Sequence, residues 1–294
     1  MSNRIKGIVC ILISALGFAL MNLMIPLAGP LPTIQKTFFR NLVALIVSII
    51  TLYRMHQRNP IKELVEWRQI PWYILFLRIL AGTVGVLCNY YALDHLLISD
   101  ASVLNKIAPF ATLIFSAIFL KERLERYHIQ VLLLAFIGVL FVTKPSLSSP
   151  HLLPYFIGII GGLSAGAAYT CVRQLNQKGL TSAFIVFAFS LCSCFIFLPM
   201  IVLQFVPMDW RSILALLGAG IFASMGQFGI TYAYKFAPAS EISIYDYSAI
   251  VFTGILGHIF LNQMPDIWSL IGYFIIFIAG WLSFLYNRKK HCQK

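Results

Sequence analysis

Four ionisable side chains interrupt otherwise apolar runs of this chain: Arg40, Arg78, Lys106 and Asp246. A charge in hydrocarbon costs about 2.5–3.5 kcal/mol on insertion scales, so each needs a partner, a wet cavity or a ligand. Depth sorts them. Arg40 and Lys106 stand five to seven residues in from one face, and Arg78 and Asp246 a similar distance from the other. At about 1.5 Å per helical residue the groups are separated by roughly 10–15 Å. A direct Lys106–Asp246 bridge is therefore not expected, whereas Arg78 and Asp246 share a level and are predicted to pair, as a structural lock or a gate. Arg40 and Lys106 are left without an acidic partner of equal depth unless Asp100 supplies one. Uncompensated positive charge favours a ligand bearing a carboxylate or phosphate. The alternative is that Arg40 satisfies carbonyls at helix breaks and Lys106 snorkels to the interface.

Polar residues gather around these charges. In the third apolar run Arg78, Gly82, Gly85 and Asn89 follow helical spacing and form one small and polar stripe, which must face protein or water. Ser102, Asn105, Lys106 and Pro109 cluster in the fourth run, and Pro109 removes one backbone donor and loosens the helix there. Tyr90, Tyr169, Gln227, Tyr232 and Tyr245 complete the set of cavity candidates. Trp72, Trp210, Trp268 and Tyr286 sit near run ends, where amphipathic rings anchor at the membrane surface. His258 could relay protons, although a lone His commonly serves packing.

No catalytic chemistry is legible. The chain has no Walker loop, nucleophile elbow, metal-spaced His cluster or paired catalytic carboxylates, so no cofactor, no metal and no enzymatic activity are expected. Without a phosphate-binding loop, ATP is not the direct energy source in this chain, and a proton is the candidate coupling ion. The six cysteines form no disulfide framework, and Cys192 and Cys194 point to two sides of one helix.

The elements that must carry these residues follow from composition. Of 294 residues 60% are hydrophobic and 11% charged, with a mean hydropathy of +0.84, which excludes a soluble core with a polar shell. Ten runs near 7–25, 34–53, 72–91, 101–120, 127–143, 154–173, 183–204, 211–232, 240–261 and 267–286 are each long enough to cross a lipid bilayer as a helix. The first run is too long for the core of a cleaved signal and is expected to remain as a helix. A net charge of +12 would suggest nucleic acid in a soluble protein, but here the basic residues occupy the connections. Sixteen of the 22 fall on the side of the N-terminus and three on the other, with three inside runs, so both termini are expected in the cytoplasm and no nucleic acid as partner.

An internal repeat sets the architecture. Adding 141 carries Gly85 to Gly226, Tyr91-Ala92 to Tyr232-Ala233, Ser102 to Ser243, Ala108 to Ala249 and Ile118-Phe119-Leu120 to Ile259-Phe260-Leu261. The mates of Asn105 and Lys106 are Asp246 and Tyr247. Two five-helix halves, 1–145 and 146–294, are predicted, and because five is odd the second enters the membrane inverted. The fold class is thus an all-α integral membrane protein of ten transmembrane helices.

Phe38-Phe39-Arg40, Tyr91-Ala92-Leu93, Ser99-x-Ala101, Pro109-Phe110 and Leu120-Lys121-Glu122-Arg123, in this order over nearly the whole chain, resemble the EamA type of the drug/metabolite transporter superfamily. The resemblance implies a ten-helix secondary transporter with a central cavity between its halves, working by alternating access on a small-molecule metabolite, in the plasma (inner) membrane. An exporter or permease is expected, and amino acids or related carboxylates are the substrates that the positive cavity favours. In the second half Ile250 replaces the proline and Gln263 the terminal Glu, which argues against a role that needs either in both halves. A membrane-embedded enzyme and a receptor or structural subunit are the competing classes.

Overall fold

The computed structural model describes residues 2–58, 70–96, 98–146, 152–262 and 264–292. All regular structure in them is helical: α1 (Asn3–Met24), α2 (Thr33–Arg58), α3 (Trp72–His95), α4 (Ile98–Asn105), α5 (Ala108–Phe119), α6 (Arg126–Thr143), α7 (Leu153–Gln177), α8 (Ser182–Gln204), α9 (Trp210–Phe236), α10 (Ala239–Ile242), α11 (Ser248–Leu261) and α12 (Ile267–Cys292). Ten spans long and apolar enough to cross a membrane coincide with the ten runs, with α4–α5 and α10–α11 each forming one broken span. Large apolar side chains cover the outside, among them Leu203 at 83% exposure and Phe119 at 67%. Lipid is the solvent that suits such a surface.

The helices pair as an inverted repeat requires. α1 packs along α9 and α3 along α7, which are mates, while α2 packs on α8 and α6 on α12, each across the pseudo-twofold axis. The α5–α7 and α1–α11 contacts are mates as well. Local backbone repeats too. Lys121 and its mate Asn262 both take the left-handed conformation, at φ 53° and 52°, just beyond α5 and α11. Close approach at these seams depends on glycine: a Cβ on Gly166 would lie 2.8 Å from the Thr112 nitrogen and 2.9 Å from the Ala108 oxygen, so α7 can lie against α5 only without it.

Both broken spans interrupt at equivalent places. Pro109 has no N–H for the Asn105 carbonyl, and the chain turns at Lys106–Ile107 before α5 begins. In the second half the interruption needs no proline. Ser243–Tyr247 winds as a 3-10 helix, and the Ser248 hydroxyl donates to the Tyr245 carbonyl at 2.6 Å, so side chains satisfy the freed backbone groups. Ile250 in place of proline therefore does not cost the second half its break.

Candidate functional site

The two breaks meet. Lys106 Nζ donates to both the Asp246 carboxylate (Oδ2) and the Asp246 main-chain oxygen, each at 3.2 Å. Tyr247, wholly buried, donates its hydroxyl to the Lys106 carbonyl at 3.1 Å. This overturns two expectations from depth, that Lys106 and Asp246 lie too far apart and that Asp246 pairs with Arg78. The depth argument assumed regular helix at constant rise. Instead each residue sits at a break in its span, where the backbone departs from the helical path, and the long Lys stem reaches inward rather than snorkelling out.

Arg78 has a different environment. It is 3% exposed, its guanidinium carbon lies 4.3 Å from the centre of the Phe189 ring on α8, and its Nε is buried without a hydrogen-bond partner. Gly82, one turn on, leaves the space that the guanidinium and the Phe189 edge occupy. Neither Arg40 nor Arg78 has an ion pair among the described residues, whose four pairs are Arg4–Glu241, Lys106–Asp246, Lys144–Asp266 and Arg173–Glu122.

Tyr169 ties these groups into one region. Its hydroxyl lies within electrostatic reach of Asp246, Arg78 and Arg40, from three different spans. Its ring stacks on Tyr234 at 5.9 Å, and the Tyr234 hydroxyl meets Ser243 Oγ at 3.3 Å. Tyr234 is fully buried and was not among the sequence candidates. It stands two residues past Tyr232, on the other side of α9, and only its partners mark it. The centre therefore holds Arg40, Arg78, Lys106, Asp246, Tyr169 and Tyr234, with three positive charges against one negative.

Asn105 Nδ2 donates to Asn89 Oδ1 at 3.0 Å beside this centre, and Asn105 is exposed although it lies well inside a span. An amide there belongs against water rather than lipid. The remaining candidates lie apart. Tyr232 stacks between Phe228 and Phe236 along α9, Tyr245 lies against Gly280 of α12 and within electrostatic reach of Arg4, and Gln227 is buried in α9. The side chain of Tyr90 lies outside the described residues. Asp100 is taken by the Ser146 backbone N–H and the Tyr155 hydroxyl, so it is not a partner of Arg40 or Lys106.

At the end of the bundle that carries both termini, Glu122 joins three elements. One carboxylate oxygen accepts from Arg173 Nε at 2.8 Å on α7 and the other from the Ala239 N–H at 3.0 Å, where α10 starts. Arg173 also donates to the Tyr234 carbonyl at 2.8 Å. A polar cavity of about 260 Å³ opens here, lined by Lys121, Glu122, Arg173 and His128 among others. In the sequence Glu122 stands only within the Leu120–Arg123 motif, and no local spacing sets Arg173 apart.

Inverted helical halves that meet at a buried cluster of charges, on ten spans long enough to cross a bilayer, have the build of a membrane transporter. Matches to the EamA-like transporter family span residues 5–144 and 152–285, and the chain belongs to that family. It is similar to the pseudopaline exporter CntI of Pseudomonas aeruginosa (strain UCBPP-PA14), with 27% identity over 276 residues, covering 93% of this chain and 94% of the relative. The riboflavin transporter of Vibrio cholerae is 23% identical over 292 residues, covering 95% and 94%. A solved crystal structure superposes with a TM-score of 0.83 at 16% identity, over 96% of this chain and 98% of that one, which shows the shared fold. Family and relatives are transporters, not enzymes.

Proposed function

We propose that this protein is a secondary transporter that moves small organic anions by alternating access between its halves, 1–145 and 146–294. Arg78 carries the reading. A buried guanidinium with a donor unpartnered and no ion pair among the described residues is an unfavourable arrangement that a carboxylate or phosphate would relieve, through charge-assisted hydrogen bonds. Arg40 adds a second positive charge in the same field, and Tyr169 lies within electrostatic reach of both and of Asp246. The anion contacts Arg78 and Arg40, with Tyr169, Asn89 and Asn105 as orienting groups. Lys106 and Asp246 are mutually neutralised and serve the conformational step.

Export fits the name of one full-length relative, an exporter, and carboxylate-bearing metabolites such as amino acids fit the charge. The excess of basic residues on the side of the termini supports a cytoplasmic position for both, with the chain in the plasma (inner) membrane. Counterflow in proteoliposomes tests the reading. Vesicles loaded with unlabelled glutamate, citrate or the neutral glutamine should accumulate the labelled anions faster than the neutral compound, and Arg78→Gln should remove the difference. Equal rates for anions and the neutral amide, unchanged by Arg78→Gln, would refute it.

A further inference from the structure

Two cations of the central region, on different helices, have no counter-ion among the described residues. Every carboxylate whose side chain is described is engaged elsewhere: four in the ion pairs with Arg4, Lys106, Lys144 and Arg173, Asp100 with the Ser146 N–H and the Tyr155 hydroxyl, Glu125 with the Tyr286 hydroxyl, and Asp209 with the Ser212 N–H. Asp246 neutralises Lys106, so Arg40 and Arg78 leave a surplus of two positive charges. We propose that the substrate is a dicarboxylate, with one carboxylate on Arg78 and the other on Arg40, and that Arg40 is the residue that selects two charges over one. The inference rests on the anion-transport reading above and narrows it.

Two helices each bring half of such a site. On α3, Arg78 is buried against the Phe189 ring, and both its Nε and the Thr83 hydroxyl are buried without a partner. On α2, Thr37, Asn41, Ala44 and Ser48 recur at helical spacing as a stripe no more than 2% exposed, and Arg40 lies one turn from Thr37 and one from Ala44, on the flank of that stripe. The hydroxyls of Thr37 and Ser48 donate to carbonyls of their own helix, whereas Asn41 Nδ2 is buried without a partner. Each helix thus offers a guanidinium together with a buried donor that lacks an acceptor, an arrangement that folded proteins seldom leave unmet. The two guanidiniums lie within electrostatic reach of each other and of Tyr169, so they serve one region and not two.

The chemistry of the fork sets the charge of the ligand. A carboxylate presents two oxygens to one guanidinium, so a single carboxylate occupies one arginine and leaves the other uncompensated. Two like charges shielded from water repel, and one anion relieves only part of that cost. A second carboxylate on the same molecule relieves the rest, and it does so at the high effective concentration of a tethered group. The first carboxylate goes to Arg78, which is 3% exposed and gains most from a partner, while Arg40 is half-buried and less completely shielded. A singly charged compound is therefore held by Arg78, and Arg40 adds affinity only to a molecule with a second anionic group.

Compounds of one carbon skeleton separate charge from size. Succinate, glutarate and adipate are each compared with their half-amide and their diamide, near neutral pH where both carboxyls are ionised and at fixed ionic strength. Apparent dissociation constants are read from the rise in melting temperature with ligand concentration in detergent. For the chain length that fits best, the diacid should bind about tenfold or more tightly than the half-amide, and the half-amide about tenfold or more tightly than the diamide, one charge-assisted contact at each step. Arg40→Gln should bring the diacid down to the half-amide and leave the half-amide unchanged, while Arg40→Lys, which keeps the charge, should keep the diacid ahead. Equal affinity for diacid and half-amide, both above the diamide, would overturn the proposal and leave the anion reading standing. A diacid advantage that survives Arg40→Gln in full would overturn it as well. Three equal affinities, or no binding by any compound, would overturn both readings. If Arg40→Gln fails to fold, the ratio of diacid to half-amide on the unchanged protein decides.

Discussion

Tyr247 donates its hydroxyl to the main-chain carbonyl of Lys106 at 3.1 Å, across 141 positions of sequence. That separation is the repeat offset, so the two residues are mates. Residues related by a twofold axis can touch each other only beside the axis, and this bond therefore marks where the pseudo-symmetry axis passes. Asp246, the mate of Asn105, is held by Lys106 at the same place. The charges of Lys106 and Asp246, the helix breaks and the symmetry element thus coincide.

The Lys106–Asp246 pair should show itself in a double-mutant cycle. Both side chains are under a fifth exposed, at 17% and 15%, so either alone leaves a poorly solvated charge. Lys106→Gln and Asp246→Asn are each expected to lower the melting temperature in detergent, and the double variant to recover about 0.5–3 kcal/mol relative to additivity. Arg78→Gln combined with Asp246→Asn should instead be additive.

Phe189 is expected to position Arg78. Its ring lies under the guanidinium at 4.3 Å, and a desolvated contact of this kind is worth about 2 kcal/mol. Phe189→Leu should weaken binding of a carboxylate substrate severalfold while leaving a neutral analogue unaffected, and Phe189→Tyr should restore it. Equal losses for both compounds in equilibrium binding would assign the ring to packing alone.

Gly166 allows α7 to lie against α5, with backbone atoms under 3.0 Å from the position of an added Cβ. Gly166→Ala should destabilise by about 1–3 kcal/mol, the range of overpacked sites, visible as a lower melting temperature. Gly179→Ala, where nothing lies within 4 Å of the added carbon but φ is +87°, should cost only the smaller strain of a left-handed backbone.

Lys144 holds the Asp266 carboxyl at about 2, well below its ordinary value, chiefly through its hydrogen bond, with Ser269 adding to it. A carboxyl depressed in the folded state contributes stability that is complete above its unfolded value and is lost as pH falls toward 2. Local protection of the α6 and α12 ends, followed by hydrogen exchange, should decline between about pH 4 and pH 2. Lys144→Gln should move that decline upward.

Cys292 reports orientation. With both termini in the cytoplasm, an impermeant maleimide should label it only after the membrane is opened. Labelling of intact cells at full extent would reverse the proposed topology.

The ten spans, their inversion and the identity of the central charges were legible in the sequence, because hydrocarbon imposes run length and apolarity one segment at a time, and an offset of 141 survives in residue types. Arg40, Arg78, Lys106 and Asp246 were conspicuous for the same reason, since each breaks an apolar run at a cost. Which of them meet was decided by tertiary structure. Depth counted at a constant rise paired Asp246 with Arg78, but a break at Lys106–Ile107 and a 3-10 turn through Asp246 bring Lys106 to it, and Arg78 turns to a ring on α8. Tyr234 and the Glu122–Arg173–Ala239 junction were hidden likewise, because a partner on another helix leaves no trace in local spacing. Run length depends on the solvent around each helix and is written locally, whereas the pairing of charges depends on where helices break and turn, which only the packed bundle determines.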